Sequence, residues 1–504
     1  MQNLSLLDWS ICGGYLVIVF ALGLWFAREQ HNTEDYFVGS RRMHWIPIGL
    51  SLFAGLFSSL SFVGLPSEAA YVDYHLYLSI LFIPLVVTPI VWIWFLPLYF
   101  RLGSTSCYEY LERRFNRRLR LMASLLFMLY TLGWMGNLLR AVGVILQAVL
   151  DLSQMETAYV LLGIGLFATV YTTIGGVKAV VWTDVLQAFA LGGGMVLVLL
   201  LTVSRIDGGW SRIWEIGSHH ERFAMFKQHF DLETPNIFGA VAFGFFVYLA
   251  GHAVTFTAVQ RYVSMPSISA ARKALVINGA MAGVVCLVFF LVGSAIFAFY
   301  HQSAESNSSV AHATDTPPSL YYELQASPDR PNRQDQLVPR FIMAELPYNG
   351  LMGLLLAGLF AAAMSSVDSG INSMSASVVC DWRTDQQLDL RQSQVLCALF
   401  GLAAIALAIT FYFYGGRVFP LIMKIAGTFL GLLLGLFVLG LIVKRANSLS
   451  ATCGLAAGVT CLAIAFSFNV AHWWYGAIAS LPVFLVGWLI SFLNPAPDAE
   501  ADVA

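Results

Sequence analysis

Thirteen apolar stretches, each long enough to cross a bilayer, run through this chain and leave little of it for any other kind of fold. They cover approximately residues 7–27, 46–71, 76–100, 119–150, 155–173, 180–203, 236–259, 274–300, 349–377, 392–413, 418–442, 450–467 and 471–493. A span takes roughly 20 apolar residues as helix, because a helix satisfies its own backbone where no water can. Only 11% of the 504 residues are charged, against roughly 25% in a soluble domain. That is too little charge to cover a water-facing surface. The expectation is an all-α polytopic membrane protein of about 13 transmembrane helices, one domain over 1–495 with a tail at 496–504. The N-terminus has no positive n-region and no small-residue cleavage site, so the first stretch reads as a retained span. The seven cysteines form no CxxC pair, which removes a disulfide framework and a zinc site from consideration. No basic stripe is present, so nucleic acid is not an expected partner.

Loop charges orient the spans. With the N-terminus outside, the inner loops hold Arg28, Arg41 and Arg42, then Arg101 and the group Arg113, Arg114, Arg117, Arg118 and Arg120. Lys178, Arg261, Arg272, Lys273, Arg383, Arg391, Lys444 and Arg445 follow on the same side. The expected placement is a cell membrane, with the N-terminus outside and the C-terminus cytoplasmic. The polar segment 301–348, with its PP and SPDRP turns, then lies outside. It is too small for a catalytic domain and reads as a cap over an outer vestibule.

Two spans carry helix-weakening residues. FAGLFSSLSFVGLPSEAAY, 53–71, has Gly55, Gly64 and Pro66, with Ser58, Ser59 and Ser61 able to satisfy freed backbone groups. Five spans on, FVYLAGHAVTFTAVQRY, 246–262, is interrupted at Gly251, His252, Thr255 and Thr257. A break in the first helix of two five-span sets is the mark of an inverted repeat, here 46–203 and 236–442. Small residues that let helices pack closely read the same way, so both readings stand at this point.

The ninth span turns polar at AAAMSSVDSGINS, 361–373. At helical spacing Ser365, Asp368, Ser369 and Asn372 share one face. An acid in a span costs several kcal/mol, about 2.5–3.5 on insertion scales, unless it is paired or wetted. Serine hydroxyls and backbone carbonyls are hard ligands that suit small hard cations. Asp184, in VVWTDVLQAF, is a cation relay, a partner of Lys178 or a helix-end charge near the interface. Arg140, in GNLLRAVGVIL, presents a planar fork that matches a substrate carboxylate, or makes a structural pair. His252 is a substrate contact, a proton carrier or a hydrogen-bonded structural histidine.

EDYFVGSRRMHW, SSLSFVGLPSEAAY, TSCYEYLERRFNRRLR, GGVKAVVWTDVLQAF, QRYVSMPSISAARKA and AAAMSSVDSGINS together resemble the sodium:solute symporter family, over about residues 5–490. The resemblance implies a LeuT-like 5+5 inverted repeat, with one extra helix at 7–27 and two more over 450–493. It implies a sodium ion between the second and ninth spans, held by the carbonyls of Ala54, Phe57 and Ala362 and the hydroxyls of Ser365 and Ser366. Asp184 would help sodium leave inward, or join Asp368 and Ser369 in a second site. The carboxylate of Asp368 stands where the family has a hydroxyl. Ser58, Ser61, Arg140, His252 and Thr255 are the implied substrate contacts. Amides typical of sugar carriers are absent at Ser61 and His252, which favours a small organic anion.

The expected function is therefore sodium-coupled import of a small organic solute across the bilayer, by alternating access. Proton coupling and a sugar substrate are the alternatives. An enzyme is not expected: His252 with Asp184 is the only candidate pair, with no second histidine at metal spacing on one helix. A fused signalling module is not expected either, since the chain runs about eleven residues past its last span.

Overall fold

The computed structural model describes residues 4–56, 59–226, 232, 236–308, 320–324, 334–346, 349–383, 389–414 and 418–493, and no strand occurs among them. The helices begin with α1 (Leu6–Ala27), α2 (Thr33–Val38), α3 (Trp45–Leu56), α4 (Ser59–Tyr71) and α5 (His75–Leu102). Next come α6 (Glu109–Arg114), α7 (Arg117–Leu150), α8 (Gln154–Ser204), α9 (Gly209–His219), α10 (Ile237–Ala253) and α11 (Phe256–Val263). The chain continues through α12 (Ile268–Ser308), α13 (Leu337–Glu345), α14 (Leu351–Ser377) and α15 (Leu390–Tyr414). It ends with α16 (Val418–Ile442), α17 (Ser448–Ser467) and α18 (Tyr475–Leu493).

Ten of these helices are long and apolar enough to span a membrane, and α10 with α11 makes an eleventh. Two features reconcile this with thirteen stretches. Helix α8 has 51 residues, about 77 Å at 1.5 Å per residue, more than twice the hydrocarbon thickness. It holds the fifth and sixth stretches, joined at Gly176, whose φ of 62° and ψ of −165° a side chain would strain. A Cβ there would also meet the Tyr36 carbonyl oxygen at 2.9 Å. The second stretch is divided between α3 and α4, with Phe57 and Ser58 outside the described residues.

Starts and breaks follow local chemistry. Ser153 and Glu156 form a capping box at the start of α8. Asn116, Asn236 and Asn447 cap α7, α10 and α17 with their side-chain oxygens. The expected break in the seventh span is present: α10 and α11 meet at 50°. Thr255 makes the break possible. It accepts from Ala258 N at 3.3 Å, as N-cap of α11, and donates to Gly251 O at 2.6 Å.

Helix α14 lies at the centre, against α1, α3, α4, α7, α8, α11 and α15. Nearly every one of its residues is buried. Its polar side chains therefore face protein and not lipid, which is what makes them tolerable at this depth. The described parts of 301–348 pack on the end of α4. Ser67 donates to Gln334 O at 2.6 Å, Tyr71 to Tyr321 O at 2.9 Å, and Tyr321 to Ala70 O at 2.9 Å.

Candidate functional site

Four helices converge on one carboxylate. Helix α8 carries Asp184, fully buried, and α14 brings Ser365, which donates to Asp184 Oδ1 at 2.6 Å. Helix α3 brings Ser51, which donates to Oδ2 at 2.5 Å. From α11, beyond the break, Arg261 reaches the same Oδ2 at 3.1 Å through Nη2. The guanidinium also donates from Nε to Ser51 at 2.7 Å, from Nη2 to Ser369 at 2.5 Å and from Nη1 to Thr257 O at 3.1 Å. Ion pair and hydroxyls satisfy one another, which is the condition for keeping two charges in a low-dielectric interior.

The geometry suits a cation beside Ser365. A hydroxyl that gives its proton to Asp184 turns its lone pairs the other way, toward whatever lies opposite. Ser366 is engaged loosely, donating to Ala362 O at 3.5 Å, so both oxygens are free to turn to an ion. Ala54 lies on α3 one residue before Gly55, where a Cβ would come 3.9 Å from both Arg261 Nη2 and Ser369 Oγ. The donors are hard oxygens, as sodium prefers. Phe57 lies outside the described residues.

A cavity of about 60 Å³ adjoins this centre, lined by Ser51, Gly55, Arg261, Ser366 and Ser369 and across from them Tyr130, Thr131 and Trp134 of α7. His252 and Thr255 line it as well. At this volume it admits a few waters, so a solute of several carbons enters only when these helices part.

His252 is committed on both ring nitrogens. Nδ1 lies 2.8 Å from Tyr248 O, and Nε2 lies 2.9 Å from Asn278 Nδ2. A donor to a carbonyl on one side and an acceptor from an amide on the other describes a neutral ring held as structure.

The polar face of α14 divides. Asp368 turns to the half of α8 before Gly176, where Thr172 donates to Oδ1 at 2.7 Å and Tyr171 to Oδ2. Ser369 serves Arg261, and Asp368 serves two hydroxyls on α8. Asn372 accepts from Gln260 Nε2 at 2.8 Å. The pairing of Lys178 with Asp184 does not occur, because Lys178 reaches Glu29 at 2.9 Å. Arg140 is buried in α7, 3.5 Å from Asn137 Oδ1, and is not part of the cavity wall. Ser61, half-buried on α4, is not in the wall either, and Ser58 lies outside the described residues.

Sequence reasoning passed over Arg261, counting it as a loop charge. The clue was its place six residues after Thr255, too close to a broken helix to be loop. Ser51, Tyr171, Thr172 and Gln260 carried no such signal.

An all-helical membrane bundle with a helix broken beside a buried hydroxyl–carboxylate cluster defines a transporter of ions or small solutes. The sodium:solute symporter family matches residues 36–458, and the chain belongs to that family. A sodium/sialic acid symporter, NanT of Aliivibrio fischeri, is 29% identical over 99% of this chain and 96% of its own. The human sodium/iodide cotransporter is 31% identical over 90% of this chain and 68% of its own. A solved sodium-coupled sialic acid symporter, substrate-bound and outward-open, superposes with a TM-score of 0.85 at 28% identity, covering 98% of this chain and 99% of that one. The fold is LeuT-like, and the chain is a sodium-coupled symporter.

Proposed function

We propose that this symporter carries a small carboxylate-bearing solute inward with sodium, the N-terminus lying outside and the C-terminus in the cytoplasm. The observation that carries the reading is the Asp184 cluster, which joins α3, α8, α14 and the half-helix α11 through Ser51, Ser365 and Arg261. Sodium enters as co-substrate between α3 and α14, with Ala54, Phe57, Ala362, Ser365 and Ser366 as its oxygens. Bound there, it draws α3 and α14 together and fixes one wall of the cavity. The solute meets the same wall, so each ligand raises the affinity of the other by one shared factor. On release, an ion leaving Ser365 meets the Asp184 carboxylate on its other side, with Ser369 alongside. This makes the second position an exit step at Asp184 and Ser369, with Asp368 holding α8 to α14.

Arg140 supports an anionic solute. It lies six residues beyond Trp134 of the cavity wall, about 9 Å along α7. The named substrates of relatives, sialic acid and iodide, are anions too. The test is thermal stabilisation of the purified protein by organic acids and by neutral sugars, with sodium or potassium. The expected result is sodium-dependent stabilisation by an acid, weakened at least about 30-fold in Arg140→Ala, the loss of one buried charge contact. Indifference to sodium would overturn symport through this site. Full acid affinity in Arg140→Ala would overturn the carboxylate role.

A further inference from the structure

A second cavity, much larger than the one at the candidate site, is apolar and is bordered by exposed side chains of the bundle's surface. It measures about 520 Å³ and runs between α5, α10, α16 and α18, lined by Trp94, Phe246, Leu249, Val438, Ile442 and Leu481 among others. Ser480 also borders it, but donates its hydroxyl to Gly431 O at 2.8 Å, so the wall keeps its polar group to itself. Trp94 sits in a π-helical turn, Val91–Phe95. Such turns are rare and widen a helix locally, often at functional sites.

The groove has a charged end. Ile442 is the last residue of α16, and Lys444 and Arg445 follow in the turn to α17, both exposed. The turn is fixed from beneath: Arg114, buried, donates to Gly440 O at 3.2 Å, Val443 O at 2.8 Å and Lys444 O at 2.7 Å. Arg445 is held 3.6 Å over the ring of Phe492, on α18, the helix whose Leu481 and Phe484 line the groove. Among the described residues neither Lys444 nor Arg445 forms an ion pair with an acid. The turn leads straight into the N-terminus of α17, whose free N–H groups add to the positive field.

An apolar slot beside two exposed cations that have no acidic partner among the described residues has the complementary shape and charge of one class of molecule. We propose that this groove binds an anionic phospholipid of the cytoplasmic leaflet, with an acyl chain along α10 and α16 and the phosphate at Lys444 and Arg445. The lipid would lie on the back of the broken helix. Phe246 and Leu249 face the groove, while Gly251 and His252, two and three residues on, line the transport cavity. An occupied groove therefore braces α10 just before its bend.

The test needs no transport assay. Purified full-length protein is delipidated and titrated with phosphatidylglycerol, phosphatidylcholine or glycerol 3-phosphate, and bound lipid is counted by native mass spectrometry. Phosphatidylglycerol is expected to bind preferentially and glycerol 3-phosphate not at all. Each basic residue near an anionic headgroup is worth roughly 5-fold, so Lys444→Gln with Arg445→Gln lowers the preference by about 25-fold. Leu481→Trp, at an exposed site, fills the groove and weakens both lipids. Equal binding of the two lipids by the native protein would overturn the proposal, as would a preference that survives the double substitution.

Discussion

Removing Arg261 and Asp184 together should cost the protein less than the two single removals summed. The two groups lie 3.1 Å apart, both buried. At an effective dielectric of about 20 their attraction is about 5 kcal/mol. Most of that offsets the desolvation of two charges, so the pair itself contributes little net stability. Breaking it is another matter. Arg261→Gln leaves a carboxylate buried among Ser51, Ser365 and α14 with no cation, and Asp184→Asn leaves the guanidinium likewise. Each should cost about 3–5 kcal/mol. The double variant buries two amides that can bond to one another and to the same hydroxyls, and should recover about 2–3 kcal/mol relative to the sum. Unfolding of the purified protein by SDS titration measures the cycle. Sodium supplies a second readout. With Arg261 gone, the uncompensated Asp184 faces Ser365, so added sodium should stabilise Arg261→Gln more than it stabilises the native protein. Additivity within about 0.5 kcal/mol, or an unchanged sodium response, would refute the reasoning.

Ser365→Ala and Ser366→Ala each remove one hydroxyl from the proposed five-oxygen set. A hydrogen bond or ligand contact to a charge is worth about 1.5–3 kcal/mol. The sodium concentration for half-maximal stabilisation should therefore rise about 10-fold or more in either variant, and unchanged titration would move the ion elsewhere. Gln260 joins α11 to α2 and α14 through Phe37 O at 2.7 Å and Asn372 Oδ1 at 2.8 Å. Beside it, Tyr36 covers the buried Cys397, with its hydroxyl 3.2 Å from the sulfur. Losing two bonds of about 1 kcal/mol each should speed maleimide labelling of Cys397 by up to roughly 30-fold in Gln260→Ala, measured against the half-buried Cys453 and Cys461. On α6, burial alone would raise the Glu109 carboxyl, but Ser104 and Arg113 bring it below the usual range. Its contribution is present at neutral pH and is lost as pH falls below about 4.3 through the lowered value. The melting temperatures of Glu109→Gln and the native protein should differ slightly at pH 7 and converge in acid.

Elements were legible where one physical rule dominated. Among the described residues the apolar stretches became helix, because membrane depth leaves the backbone no other arrangement. The break at Thr255 was legible because Gly, His and Thr interrupt an otherwise apolar run. The break of α8 at Gly176 fell between two stretches for the same reason. Ser365, Ser366 and Asp184 stood out as polar groups in apolar surroundings, and the structure brings Ser365 to Asp184. Arg261 and Gln260 did not stand out, since basic and amide residues at a span's end look like loop chemistry. Only the shortness of α11, eight residues, places them inside the bundle. The partners of Asp368 were not legible for a different reason. Helical spacing gives a face about 100° wide, and Asp368 and Ser369 sit on its two edges, each taking the nearest donors. Tyr171 and Thr172 are near Asp368 only because α8 crosses α14 there, which no local pattern encodes.

The bend between α10 and α11 places the cluster where the proposed coupling of two ligands would act. A straight helix would carry Arg261 past the cavity, and its backbone would be satisfied throughout. The break frees the backbone around Val254, where Tyr99 donates to Ala253 O and Tyr108 to Val254 O at 3.2 Å. These tyrosines come from α5 and from the segment before α6, so the half-helix α11 is held at its start by one set of elements. Its far end is held by another: Arg261 to Asp184 and Ser369, and Gln260 to Phe37 and Asn372. Moving α11 must exchange the second set while keeping the first. A cation at the proposed Ser365 position would act on that exchange directly, because it would compete with Arg261 for the same carboxylate. In the proposed cycle sodium would therefore change the energy of the contact that has to break, and a solute in the cavity lined by His252 and Thr255 would change the position from which it breaks.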